Sequence, residues 1–191
     1  MEKSYSGQSS YRFIDRLLRL DGKVLMVVSP FMDEYYAKIL TGIASRKKVK
    51  IITTGKGAGG SKVVAALSKG VGTGILVKIF FYFAALFAIV AYIGIWYAAE
   101  AIAAIGALAF LMMYIRFRNG TRNIEVRVLG GPFVHEKIYI CGGEAITGSA
   151  NLTYSGTHKN VEHIEMTDDP KSVSNLSKHF EELWESQQER A

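Results

Sequence analysis

A histidine and a lysine two residues apart, His135 and Lys137, are followed after a glycine-bearing turn by Gly148-Ser149-Ala150-Asn151. In extended chain, residues two apart project from one face, so this imidazole and ammonium stand together while Glu136 points away. If the next strand folds back beside the first, the Gly148 to Asn151 turn brings a hydroxyl and a carboxamide to the same spot. Such a set suits a phosphoryl group. A neutral imidazole attacks phosphorus, and Lys137, Ser149 and Asn151 stabilise the non-bridging oxygens. This chemistry requires neither metal nor cofactor, and no Cys/His spacing suggests a zinc site. Cys141 is the only cysteine, so no intrachain disulfide can form. His-x-Lys alone would carry little, because imidazoles occur on many surfaces; His158, His163 and His179 match no such pattern and read as surface or satisfied polar residues.

The two halves together, His-x-Lys and then Gly-Ser-x-Asn, resemble the signature of the phospholipase D superfamily, in order and at nearly its usual separation. Lys159-Asn160-Val161-Glu162 is similar to the family segment whose glutamate orients the catalytic histidine. Phe180-Glu-Glu-Leu-Trp184 is similar to its closing helix. The resemblance runs from about Tyr11 through the rest of the chain, apart from one apolar block. It implies a two-step phosphodiester hydrolysis with His135 as nucleophile and Glu162 holding the other ring nitrogen. Short single-motif members of that family form homodimers, which implies two copies of His135 at one shared site. One departure stands out: Gly142 occupies the place of the family's usual aspartate, and the span to Gly148 is one residue short. Glu144 is a candidate substitute.

The elements that must position these residues read as an α/β fold, a mixed sheet flanked by helices. Tyr11, Ile14, Leu17 and Leu18 recur at helical spacing. Lys23 to Ser29 is a valine-rich run ending at Pro30, which predicts a buried strand. Asp33 to Ser45 places Tyr36, Ile39, Leu40 and Ile43 on one helical face, and Val49 to Thr53 returns as a strand, so a parallel βαβ unit is expected. After the apolar block, strands are expected over Ile124 to Leu129, His135 to Ile140, Ala145 to Thr147 and Glu162 to Met166. A final helix starts at Asp169-Pro170 with Val173, Leu176, Phe180, Leu183 and Trp184 in one stripe. The polar start, Met1 to Ser10, lacks a signal-peptide core. Gly55 to Gly60 is a basic glycine-rich loop followed by a short helical stretch, Ser61 to Lys69. Gly60-Ser61-Lys62 does not complete a P-loop, so a linking loop is the plainer reading and a phosphate contact the other.

The apolar block interrupts this pattern. Ile79 to Ala99 is an apolar run of about 21 residues, enough to span a bilayer as a helix. Ala101 to Ile115 is shorter. Together they predict a transmembrane helical hairpin with Trp96, Tyr97 and Glu100 near its turn, and small residues from Ala103 to Ala109 letting the helices approach. A buried core hairpin or a dimerisation arm is the alternative. Lys62, Lys69 and Lys78 before it, and Arg116, Arg118 and Arg122 after it, place both soluble parts in the cytoplasm. The division is then residues 1–70 and 120–191 as two halves of one catalytic domain, with 71–119 as the hairpin.

A net charge of +6 favours anionic partners, nucleic acid or phospholipid headgroups. The sequence reading is therefore a membrane-anchored phosphodiesterase. Nucleic acid is slightly favoured as substrate, with Arg46, Lys47, Lys48 and Lys56 as backbone contacts. A cardiolipin-type phospholipid hydrolase is the alternative, and a non-catalytic binder of anionic ligands is a third reading.

Overall fold

The computed structural model describes residues 2–54, 67, 73–92, 96–128 and 135–186. One mixed sheet of seven strands organises them: β1 (Lys3–Gln8), β2 (Val24–Val28), β3 (Lys48–Thr53), β4 (Ile124–Val128), β5 (Ile138–Cys141), β6 (Glu144–Gly148) and β7 (Val161–Thr167). Their order is β1-β7-β6-β5-β2-β3-β4. The parallel pair β2/β3 is the one expected from the βαβ pattern, and β4 extends it in the same direction. β5, β6 and β7 form an antiparallel meander joined to β2 through β5, and β1 closes the far edge against β7. β1 was not foreseen, because its residues are too polar to announce a buried strand.

Alternation along the central strands sends side chains to two cores. On one face, α1 (Tyr11–Arg19) and α2 (Glu34–Ala44) bury Ile14, Leu17, Leu18, Tyr36 and Leu40 over Leu25, Val27, Val49, Ile51, Tyr139 and Ile146. On the other, Phe180 and Trp184 of the long C-terminal helix pack on Val28, Ile52, Ile138, Ile140 and Ala145. That helix, here α6 (Pro170–Ser186), starts as expected: the Asp169 carboxylate accepts from Ser172 N at 2.8 Å, which holds its pKa below the usual carboxylate value. The Arg127 guanidinium lies 4.2 Å from the Trp184 ring centroid and ties β4 to the helix end.

The apolar block folds as two helices, α3 (Thr73–Tyr92) and α4 (Trp96–Arg122). They pack closely where Gly106 meets Phe83; a Cβ at Gly106 would stand 2.8 Å from that ring. The transmembrane reading is corrected here. Among the described residues no helix is long and apolar enough to cross a membrane. Of the charges read as flanks, Lys78 falls inside α3 and Arg116, Arg118 and Arg122 inside α4, while Lys62 and Lys69 lie outside the described residues; Glu100, read near the turn, lies in α4. Membrane anchoring, the lipid bilayer as partner and the cytoplasmic orientation derived from the flanks are withdrawn with it. The Gly55 to Gly60 loop and the helix expected over Ser61 to Lys69 lie outside the described residues, except Leu67, which is buried in the core.

Candidate active site

β2 and β3 run one way and β5 the other, so the carboxyl ends of β2, β3 and β6 meet the amino ends of β5 and β7 at one rim of the sheet. Ligands in open α/β sheets gather at such carboxyl ends. His135 and Lys137 lie just ahead of β5, Ser149 and Asn151 just after β6, and Glu162 near the start of β7. Strand parity selects the face. Tyr139 and Cys141 belong to the core under α1 and α2, as do Ile164 and Met166, so Lys137 and Glu162 stand on that same side.

Lys137 is the centre of the arrangement. Only 3% of its surface is exposed. Its Nζ donates to the His135 carbonyl oxygen at 2.7 Å and lies 3.2 and 3.1 Å from the ring's Nδ1 and Nε2. A neutral imidazole has one acceptor nitrogen, so the ammonium can bond only one of the two at a time. Burial pushes the Lys137 pKa down, and the nearby Glu162 charge opposes that shift. Strand β5 begins at Ile138 instead of His135, yet the imidazole and ammonium still stand together. Glu136 turns the other way, as alternation requires, and pairs with His179 of α6 at 2.7 Å.

Glu162 collects the opposite wall. One carboxylate oxygen accepts from the Ser149 hydroxyl, and the other accepts from Asn160 Nδ2 at 3.2 Å. Ser149 is further fixed by its own N–H to the His163 carbonyl at 2.9 Å and by the His163 N–H to its Oγ at 3.0 Å. This close approach needs Gly148: its φ is 151°, and a Cβ there would sit 2.2 Å from the His163 carbonyl oxygen. Asn151 Oδ1 is buried and, among the described residues, lacks a hydrogen-bond partner. Turning the amide over would aim its NH₂ into that spot, a donor for an incoming oxygen.

Three supporting groups escaped the sequence reading. Tyr139 donates to the Ala150 carbonyl at 2.6 Å, and burial raises its pKa so that the hydroxyl stays a donor. Its place two residues past Lys137 was a usable signal. Ser29 and Asp33, far away in sequence, bond the backbone just after Asn151, at Leu152 N and Tyr154 N, which no local pattern announces.

Gly142 and Gly143 form the β5–β6 turn with φ of 60° and 83°, the left-handed pair that a tight hairpin demands. A Cβ at Gly142 would lie 2.5 Å from the Asp21 carbonyl oxygen. The turn is at the other end of β5, roughly 17 Å from Lys137 at about 3.3 Å per residue. Glu144 is bound to Arg16 there and is no substitute group at the site. Two of the four basic residues read as nucleic-acid contacts have partners within the fold. Lys47 Nζ bonds the Leu20 carbonyl and faces Cys141 Sγ at 3.3 Å, and Lys48 pairs with Glu125 at 2.6 Å. Arg46 is exposed, and Lys56 lies outside the described residues.

The homodimer with a shared site is corrected too. Elements of one chain alone supply this constellation: Lys137 against the His135 ring, and Ser149 and Asn160 on Glu162.

The family described as cardiolipin synthase, PLD-like domain, matches residues 21–184. No curated protein matches the chain. Among solved structures, the fold is similar to Nuc from Salmonella typhimurium, a phospholipase D family member, with TM-score 0.59 and 16% identity over 97% of this chain and 95% of that one. NucT from Helicobacter pylori gives TM-score 0.59 and 15% identity over 97% and 96%. Phosphatidylserine synthase from Haemophilus influenzae Rd KW20 gives 0.52 and 13% over 97% of this chain and 38% of that one. At these identities the likeness is one of fold.

Proposed function

The chain belongs to the phospholipase D-like family described under cardiolipin synthase, and on that premise we propose that it hydrolyses phospholipid phosphodiesters with His135 as nucleophile. The observation that carries this reading is the buried Lys137 ammonium held against the His135 imidazole. A cation kept out of water beside a nucleophile acts strongly on charge developing nearby. Lone-pair attack by the ring nitrogen forms a P–N bond as the P–O bond to the alcohol breaks, and the departing alkoxide takes a proton from solvent. Water then displaces the imidazole, releasing a phosphomonoester and restoring the ring. Lys137, Ser149 and an Asn151 amide turned toward the pocket would hold the non-bridging oxygens, while Glu162 would orient the Ser149 hydroxyl.

The family's description supports a phospholipid substrate, as does the commitment of Lys47 and Lys48 to internal partners. The test is hydrolysis of cardiolipin and phosphatidylglycerol in detergent micelles with excess EDTA, beside single-stranded DNA and RNA, for the wild type and His135→Asn. Headgroup release by the wild type, lost in the variant, with an acid-labile phosphoenzyme on quenching, is the expected result. Cleavage of nucleic acid alone would reject the substrate. Undiminished hydrolysis by His135→Asn would reject the nucleophile, and a strict metal requirement would reject the mechanism.

A further inference from the structure

The turn that carries Ser149 and Asn151 has no regular structure of its own, yet it must hold an amide in place. Its backbone is tied to the loop between β2 and α2. Leu152 N donates to Ser29 Oγ at 2.9 Å, Asp33 N donates to the Leu152 carbonyl at 3.2 Å, and Met32 and Leu152 form a parallel bridge. Asp33 then serves two helices with one carboxylate. Oδ1 accepts from Tyr36 N at 3.1 Å, capping α2, and Oδ2 accepts from Tyr154 N at 2.5 Å, at the start of α5 (Tyr154–His158). The loop itself is anchored: Ser29 N donates to the Ile52 carbonyl at 3.0 Å, and the Thr54 hydroxyl donates to the Pro30 carbonyl at 2.6 Å. Ser29 is fully buried, so its bond to Leu152 has no water to replace it.

Resting on the proposed catalytic reading, we infer that Asp33 and Ser29 are positioning residues that hold Asn151 against the phosphoryl group. They act through the backbone of its turn. Capping α2 needs one carboxylate oxygen; the second is free to clamp the site. The two roles can therefore be separated chemically. An asparagine at 33 has one acceptor where aspartate has two, so it can serve Tyr36 or Tyr154 but not both. Asparagine also caps helices as well as aspartate does. Ser29→Ala removes a second tie just past Asn151, at Leu152 N, and none of the bonds that cap α2.

The experiment combines hydrogen exchange over residues 149–154 with kcat for Asp33→Asn, Ser29→Ala, Asn151→Ala and the two double variants with Asn151→Ala. Faster exchange of that segment is expected in at least one of the two single variants. In that variant kcat should fall on the order of tenfold or more, because small misplacements of a reacting geometry are costly. In the Asn151→Ala background the same change should cost less than about twofold, since residues acting as one unit do not add. Unchanged exchange in both variants, unchanged kcat, or fully additive losses would each overturn the positioning role. A wild type inactive on every phosphodiester would instead overturn the catalytic reading on which this role rests.

Discussion

Replacing Lys137 by methionine should separate catalysis from stability. Methionine keeps the unbranched stem to the ε position and removes the charged nitrogen. The buried ammonium is set against the His135 ring at 3.1 Å, so a phosphoryl oxygen bound beside the imidazole would stand about 4 Å from Nζ. Unit charges about 4 Å apart at an effective dielectric of about 20 interact by about 4 kcal/mol. Loss of that stabilisation in the transition state corresponds to a fall in kcat of about 10³-fold. Folding should respond differently. Burial already lowers the Lys137 pKa, meaning the charged form is held at a cost, and an apolar replacement of similar shape relieves it. The bond lost from the His135 carbonyl is offset by water, because His135 is exposed. The variant should therefore unfold within about 1 kcal/mol of the wild type. The assay is single-turnover hydrolysis of a short-chain phosphatidylglycerol, paired with urea denaturation. The same shift places the loss of activity at high pH below 10.5, the ordinary lysine value: the protonated form is required, and a lowered pKa means it is lost sooner as pH rises. Methionine at 137 retaining more than about a tenth of the rate, or destabilising the fold by several kcal/mol, would refute the reasoning.

Restoring the family's residue with Gly142→Asp should destabilise by about 2 kcal/mol without raising activity, since the new Cβ meets the Asp21 carbonyl at a left-handed φ; thermal melts and initial rates check it. Gly148→Ala should abolish activity while retaining α1 and α2, because the backbone oxygen of His163 occupies the place of the new Cβ; amide NMR of Ser149 and His163 reports the lost pairing. Asp169→Asn should keep the α6 cap but remove its acid sensitivity. The folded carboxyl titrates below 3.8, so its contribution is fully present above that value and lost as pH falls beneath it. Wild type and variant should therefore converge in stability toward pH 2, and a constant difference from pH 6 to 2 would contradict this.

Periodicity exposed the helices α1, α2 and α6 and the strands β2 to β7, because each has one face buried and one not, or is buried on both. It missed β1 and α5. Lys3 to Gln8 pairs only at the sheet's edge and buries little, and Tyr154 to His158 is one turn held by the Thr153 cap. The candidate site residues stand out as types and spacings, and strand parity matches the placement of Lys137 beside His135 with Glu136 turned to His179. What could not be read was anything set by distant contacts: the double use of Asp33, the bond from Ser29, and the commitment of Lys47 to the end of α1. The apolar block misled because Ile79 to Ala99 reads as one run in sequence, whereas α3 ends at Tyr92 and Trp96 already belongs to α4.

The pairing of β1 with β7 sets Gly7 beside Glu162 and brings the Ser6 hydroxyl to within 2.7 Å of His163 Nδ1. The opening residues therefore shield the strand that holds the carboxylate wall. Trimming the first eight would leave β7 with a bare row of amides and carbonyls, a template for another chain to pair upon. Truncated preparations should consequently self-associate, so purification tags belong at the opposite terminus.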